Sequence, residues 1–318
     1  MRSVASWLVI LLGILPEVGV RQEVVRRNIE GVRIDVTVTD DGRPVLGLGP
    51  RDFEVLDRGV PQVVQSSRSP EHLSVVFALD TSASITAGRM EFSRQWHETP
   101  ENFDQLLAAV RAVVARLKEG DEVSLITFSG RLRLAVPPTT DMQQIEDAIE
   151  NPERLVGPSA RIRTTVWDAA VAAAALAIGR PGRSIVILLT DGTDNASWLS
   201  QSDAITAAQR AGVTVDLISV PRTYDTLDED PPGSWDVDAI SERTGGEALS
   251  ARDRDLSRKI ADRLTVLRSG YILTFTPAPS TSSEGWHPLE VRLRGRAGTV
   301  KTRAGYYFSS RLPSRSPR

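Results

Sequence analysis

The stretch from Leu73 to Leu79 constrains this chain more than any other. It reads Leu-Ser-Val-Val-Phe-Ala-Leu, a run rich in residues that favour strands. A run apolar on both faces belongs inside a parallel sheet, with helices covering each side. It stops at Asp80-Thr81-Ser82-Ala83-Ser84. Asp80, Ser82 and Ser84 place one carboxylate and two hydroxyls at alternate positions, just past a strand's C-terminal end. Open α/β sheets bind their ligands there. Oxygen donors of low total charge suit Mg²⁺ or Mn²⁺. The same cluster is also ordinary turn chemistry, so its meaning depends on the rest of the chain.

A second apolar run, RSIVILLT at 183–190, also ends at an aspartate, in Asp191-Gly192-Thr193-Asp194-Asn195. Between the two runs lie a helix at 103–117 with Leu106, Leu107, Val110, Val113, Val114 and Leu117 on one face, and a strand at 122–128. Residues 132–136 read as that strand's hairpin partner, and Asp141 as the cap of a helix at 142–150. The alanine-rich helix at 169–178 suits close packing on a sheet. After the second run come a helix at 202–211, a strand at 213–220, a helix at 235–243, a strand at 247–250 and a helix at 253–267. Strands alternating with helices predict an α/β, doubly wound and mostly parallel sheet. Residues 85–102 show no clear period.

The chain ends read as β. Residues 32–39 alternate with period two, the stretch 40–44 turns, and short strands follow at 45–48, 52–56 and 61–64. These are too few to stand alone. Strands at 271–276, 289–293 and 300–308 are placed to complete them, after a Pro/Ser-rich loop at 277–285. The expectation is one small β-sandwich built from both chain ends; two independent edge decorations are the alternative.

The chain has 318 residues, 41% of them hydrophobic and 25% charged, with a formal net charge of -3. This is ordinary for a soluble globular protein. No basic stripe with interleaved aromatics is present, so a nucleic-acid partner is not expected. The absence of cysteine excludes disulfides, thiolate metal sites and cysteine nucleophiles. Arg2 followed by an apolar stretch at 4–15 and then Pro16-Glu17 matches a secretory signal or an N-terminal anchor, and is short for a membrane span. Export is therefore expected, to a periplasmic, secreted or N-terminally anchored location. The expected layout is a signal or anchor at 1–22, N-terminal strands at 29–70, an α/β domain at 71–270, C-terminal strands at 271–309 and a disordered tail at 310–318.

Three pieces occur in one order: D-x-S-x-S at 80–84, Thr164 opening T-T-V-W-D-A-A, and Asp191 in L-L-T-D-G-x-D. Together they resemble the von Willebrand factor type A (vWA) family. The resemblance implies a Rossmann-like domain with a metal-ion-dependent adhesion site. Ser82, Ser84 and Thr164 would ligate Mg²⁺ (or Mn²⁺) through hydroxyls, and Asp80 and Asp191 directly or through waters. An acidic side chain of a protein partner would fill the open position. Thr165 is the neighbour with which Thr164 could be confused. The family usually has glycines before that threonine, where Ile162-Arg163 stand here. The opening VRIDVTVTDDGRPVLGL with DFEVLDRGVPQ, and the ending GTVKTRAGYY, resemble a bacterial vWA subfamily common in acidobacteria.

The expected function is a non-enzymatic binding module that engages a protein partner through the ion. Membrane contact is expected only through the N-terminal segment. Trp96, in the 85–102 connection, is a candidate partner anchor. Asp168 and Asp194 read as structural, the acidic stretch at 225–236 as solvated, and His72, His97 and His287 as surface or core residues. Two other functions stay open: a structural envelope protein with a non-functional metal site, and a Mg²⁺-dependent hydrolase. The hydrolase has no G-x-x-x-x-G-K, G-x-S-x-G or H-E-x-x-H motif behind it.

Overall fold

The computed structural model describes residues 31–86, 100–156, 163–221 and 237–308. Trp96, His97, the N-terminal targeting stretch, the acidic stretch at 225–236 and the tail at 310–318 lie outside them. In chain order the elements are β1 (Val32–Asp40), β2 (Arg43–Pro44), β3 (Phe53–Asp57), β4 (Val60–Gln62), β5 (Val64–Arg68), β6 (Leu73–Asp80), α1 (Ala83–Thr86), α2 (Pro100–Val114), β7 (Glu122–Phe128), β8 (Leu132–Thr139), α3 (Gln143–Glu150) and α4 (Pro152–Leu155). They continue with α5 (Val166–Ala177), β9 (Arg183–Thr190), α6 (Gln201–Ala211), β10 (Thr214–Ser219), α7 (Asp238–Thr244), β11 (Ala248–Ser250), α8 (Leu256–Ser269), β12 (Tyr271–Phe275), β13 (Gly285–Leu293), β14 (Thr299–Thr302) and β15 (Gly305–Phe308). No described helix is long and apolar enough to cross a membrane.

The central sheet runs β11-β10-β9-β6-β7-β8. Its neighbours are parallel, except that β8 lies antiparallel to β7. Every residue of β6 is buried, as its apolar composition requires. Its side chains divide between two layers. Leu73, Val75, Phe77 and Leu79 pack with α2, α3 and α8; Val76 and Ala78 pack with α5, α6 and α7. In α5 the alanines at 169, 170, 173, 174 and 177 are buried, a helical stripe without bulk that lets the helix lie close to the sheet. The chain leaves β6 for β7 and β8 on one side, then returns to β9 and continues outward on the other. The strand order therefore reverses between β6 and β9. Their carboxyl ends border the crevice where such sheets take ligands.

Both chain ends share one β-sandwich. One sheet is β14-β1-β12-β5 with β2 against β1, and the other is β15-β13-β3-β4. The N-terminal β1 lies between the C-terminal β12 and β14, and the C-terminal β13 lies between β3 and β15. Each end thus supplies hydrogen-bonding edges that the other needs. Their facing side chains, among them Ile34, Val36, Phe53, Val55, Leu273, Phe275, Val291 and Phe308, form a third core.

The structure corrects several expectations drawn from the sequence. Residues 300–308, expected as one strand, form β14 and β15 in opposite sheets. The crossing needs Gly305, where a Cβ would sit 2.4 Å from the His287 carbonyl oxygen and from the Trp286 ring. Residues 45–48 form no strand. The Tyr271 hydroxyl pins them as a loop, donating to the Val45 carbonyl (2.7 Å) and accepting from the Leu48 amide (3.2 Å). Helix α2 starts at Pro100, earlier than the apolar pattern shows, because proline suits the first helical turn. Strand β8 extends to Thr139 through Pro137 and Pro138, which an edge strand tolerates.

Arg183 also departs from its reading as part of a wholly apolar run. Its guanidinium is buried. Nη1 donates to the Leu267 carbonyl (2.8 Å), and Nη2 to those of Val36 (3.1 Å) and Tyr271 (3.0 Å). Burial pulls it below its ordinary basicity, with Asp35 opposing. Gly270 leaves the room: a Cβ there would lie 2.5 Å from Nη1. This one side chain ties β9 and the end of α8 to β1 and β12. The sandwich is docked at the amino end of β9, and the crevice lies at the other end of the same strand. Eight residues of strand separate the two by roughly 23 Å.

Candidate functional site

Asp80 ends β6 and is fully buried. Its Oδ1 accepts the Ser82 amide at 2.8 Å, folding the chain back on itself. Its Oδ2 accepts the hydroxyl of Thr190 at 2.7 Å. Thr190 is the last residue of β9 and also accepts the Gly192 amide at 3.0 Å. This threonine, which sequence reasoning misses, couples the two strand ends. A parallel register beside β6 is the signal that could have found it. Asp191 follows at once, its Oδ1 accepting the Thr193 amide at 2.9 Å.

Ser82 and Ser84 lie at the start of α1, their hydroxyl oxygens 3.1 Å apart. The Ser82 carbonyl accepts the Ile85 and Thr86 amides (3.1 and 2.9 Å), so the short helix holds the pair in place.

Thr164 is buried and precedes α5. Its amide donates to Asn195 Oδ1 (2.8 Å), and its carbonyl accepts the amides of Asn195 and Ala196 (3.1 Å each). The threonine loop is thereby fastened to the loop that follows Asp191. Thr165 plays a different part. Its hydroxyl donates to the Ser129 carbonyl at 2.8 Å, just beyond β7. That commitment leaves Thr164 as the candidate ligand of the two.

Of the remaining acidic residues of these loops, Asp194 caps a helix and Asp168 fastens a loop. Asp194 Oδ2 accepts the amides of Val166 (2.7 Å) and Trp167 (3.2 Å) at the start of α5. Ser197 Oγ accepts those of Trp167 (3.1 Å) and Asp168 (3.2 Å). Asp168 in turn accepts the amides of Trp198 and Leu199. The bonds accepted by Asp194 and Ser197 satisfy amide groups that a helix start leaves open, and both carboxylates favour its dipole. Asn195 and Ser197 stand in an N-x-S triplet, Asn195-Ala196-Ser197, but nothing in that pattern marks them as the residues that fasten the threonine loop.

Burial, and then the charge of Asp191, push the Asp80 carboxyl up from 3.8 to about 7; hydrogen bonds from Ser82 and Thr190 oppose this. Every neighbour acting on the Asp80 charge is thus a second carboxylate or a neutral donor. A divalent cation would relieve that repulsion and hold both carboxylates ionised. The donor set of hydroxyls and two carboxylates fits Mg²⁺, which prefers oxygen and keeps several waters. The structure gathers Asp80, Ser82 and Ser84 on one loop and couples them through Thr190 to Asp191, while Asn195 joins Thr164 to the same loop. Trp96 lies outside the described residues.

Residues 75–193, which include Asp80, Ser82, Ser84, Thr164 and Asp191, match the family described as von Willebrand factor type A domain. No curated protein matches the chain. Among solved structures it is similar to the conserved hypothetical protein BatB from Bacteroides thetaiotaomicron, at 18% identity over 61% of this chain and 98% of that one, with a TM-score of 0.43. It is also similar to proximal thread matrix protein 1 from the mussel byssus, described with a zinc-occupied MIDAS motif, at 18% identity over 65% of this chain and 48% of that one, with a TM-score of 0.46. The PilB minor pilin from Streptococcus sanguinis matches at 13% identity over 64% of this chain and 62% of that one, with a TM-score of 0.43. The chain spans about half the length of the mussel protein.

Proposed function

We propose that this chain is an exported, non-enzymatic binding module whose crevice holds Mg²⁺, and that a carboxylate from a protein partner completes the ion's coordination. The observation that carries this is the convergence of oxygen donors at the strand-order reversal: buried Asp80, the Ser82–Ser84 hydroxyl pair, and Asp191 coupled to Asp80 through Thr190. The match to the vWA family over 75–193 supports the same reading. Mn²⁺ suits the same donors.

With hydroxyls as most of its ligands, the ion keeps much of its charge, and an incoming carboxylate meets a strong electrophile. The described histidines stand apart from the crevice. His72 packs against Gly120 at the amino end of β6, and His287 is enclosed in the sandwich against Asp57 (2.9 Å). Neither is placed as a general base, which favours binding over hydrolysis. Export rests on Arg2 and the apolar stretch at 4–15. Kinship with the acidobacterial subfamily rests on the motifs that now build β1, β3, β14 and β15.

The test is thermal unfolding titrated with Mg²⁺, Mn²⁺ and Ca²⁺, on the wild type and on Asp80→Ala. A ligand bound only by the folded state stabilises it by about 2.7 kcal/mol at a hundred times its Kd. The expected result is a Mg²⁺-dependent rise in the midpoint that Asp80→Ala abolishes. No shift with any ion, in a folded sample, would refute the metal reading and leave a structural protein.

A further inference from the structure

Trp198 is 96% exposed, the highest value among the large hydrophobic residues described. Its mount is not loose. Its amide donates to both carboxylate oxygens of Asp168 (3.2 and 3.1 Å), and the Leu199 amide donates to Oδ1 (3.0 Å). Just before it, Ser197 and Asp194 bind the first amides of α5, and Asn195 binds Thr164. The loop carrying the indole is therefore fastened at several points to the helix start beside the candidate metal ligand. Three residues of chain separate Asn195 from Trp198, a span of at most about 11 Å. A water-facing indole on a loop fastened through its backbone, next to a ligand crevice, is a contact that binding can use without first ordering the loop.

The neighbouring charges indicate what it would take. Asp168 already accepts three amide hydrogen bonds. Asp203 Oδ2 accepts the Ser200 amide (2.9 Å) and hydroxyl (2.6 Å). These hydrogen bonds commit both carboxylates to fastening the loop. Leu199, 38% exposed, adds aliphatic surface beside the indole.

We propose that Trp198, with Leu199, forms the second contact of the metal face, packing an apolar side chain of the same extended partner segment whose carboxylate meets the ion. This rests on the metal reading above. Positions two to four residues apart on an extended strand are separated by roughly 7–13 Å, so varying the spacing samples the distance between the two contacts.

The test uses labelled, alanine-based decapeptides with one Asp, carrying Ala, Phe or Arg two, three or four residues away on either side. Binding is read by fluorescence anisotropy in saturating Mg²⁺ and in chelator, with wild type and Trp198→Ala. At one spacing the Phe peptide is expected to bind at least tenfold tighter than the all-Ala peptide. Trp198→Ala should remove that advantage while leaving the all-Ala peptide's affinity, the Mg²⁺ response and the unfolding midpoint unchanged. A Phe advantage that is absent, or that survives in Trp198→Ala, overturns the Trp198 contact and leaves the metal reading intact. A preference for Arg overturns the apolar assignment. No Mg²⁺-dependent binding by any peptide, with no Mg²⁺-dependent stabilisation of the protein, overturns both readings.

Discussion

Strand β6 meets a fully buried aspartate at each end, and the two are treated in opposite ways. At its start, Asp121 accepts the amides of Leu73 (2.9 Å) and Lys118 (2.6 Å) and a two-point contact from Arg268. Burial pushes its carboxyl up, but Arg268 and the two amides outweigh that and hold it below its ordinary range. At the far end, Asp80 meets Asp191, and its carboxyl is pushed up to about 7. The same side chain, equally buried at the two ends of one strand, is neutralised where the sandwich docks and left in repulsion where the crevice opens. Strain that could be relieved by changing one residue, yet sits at a topological ligand position, points to function.

The largest expected effect comes from removing that repulsion. A carboxyl whose folded value lies above its unfolded value binds more protons in the native state. The metal-free protein should therefore lose stability as pH rises from about 4 to about 7, then level off. The contribution of Asp80 is on the order of 4 kcal/mol. Asp80→Asn should unfold at higher urea than the wild type at pH 7.5 without metal, with the gap closing near pH 4. Saturating Mg²⁺ should reverse the order. Equal urea midpoints at pH 7.5 without metal would show that the two carboxylates do not oppose each other.

The other end should respond with the opposite sign. Asp121 has a depressed folded value, so its contribution is complete above the unfolded value near 4 and is lost as pH falls through the folded one. Asp121→Asn should cost about 1–2 kcal/mol at pH 7, because a charged hydrogen-bonded pair is broken. The deficit should shrink below pH 4 and be insensitive to Mg²⁺. A deficit unchanged at pH 2.5 would mean that Asp121 acts through its shape and not its charge.

The contrast was half legible in the sequence. The two strand ends announce themselves because everything needed is local: an apolar run, then an aspartate with small hydroxyl residues after it. The α/β class follows from the same runs and the helices between them. What escaped depends on residues far apart in the chain. Thr190 gains its role only because β9 lies parallel to β6, which puts its hydroxyl on Asp80. Arg183 reads as one more residue of a wholly apolar run until β1, β12 and α8 bring their carbonyls to it. Residues 300–308 carry one alternating pattern, and only the fold shows that Gly305 hands the chain from one sheet to the other. Trp198 follows no periodic pattern, and its exposure comes from the loop that holds it.

The smallest effect separates two adjacent threonines whose chemistry is the same and whose surroundings are not. Thr165 commits its hydroxyl to the Ser129 carbonyl at the end of β7, while Thr164 is bound to Asn195 through its backbone. Valine keeps the shape and removes the hydroxyl. Thr165→Val should cost about 1 kcal/mol of stability and leave the Mg²⁺ dependence of unfolding unchanged. Thr164→Val should change metal-free stability less and shift the Mg²⁺ titration to higher concentration by about tenfold, since the proposed site would lose one of its hydroxyl ligands. If Thr165→Val instead moved the Mg²⁺ midpoint and Thr164→Val did not, the ligand would be one residue later, and the loop before α5 would have to adopt a different path in the metal-bound protein.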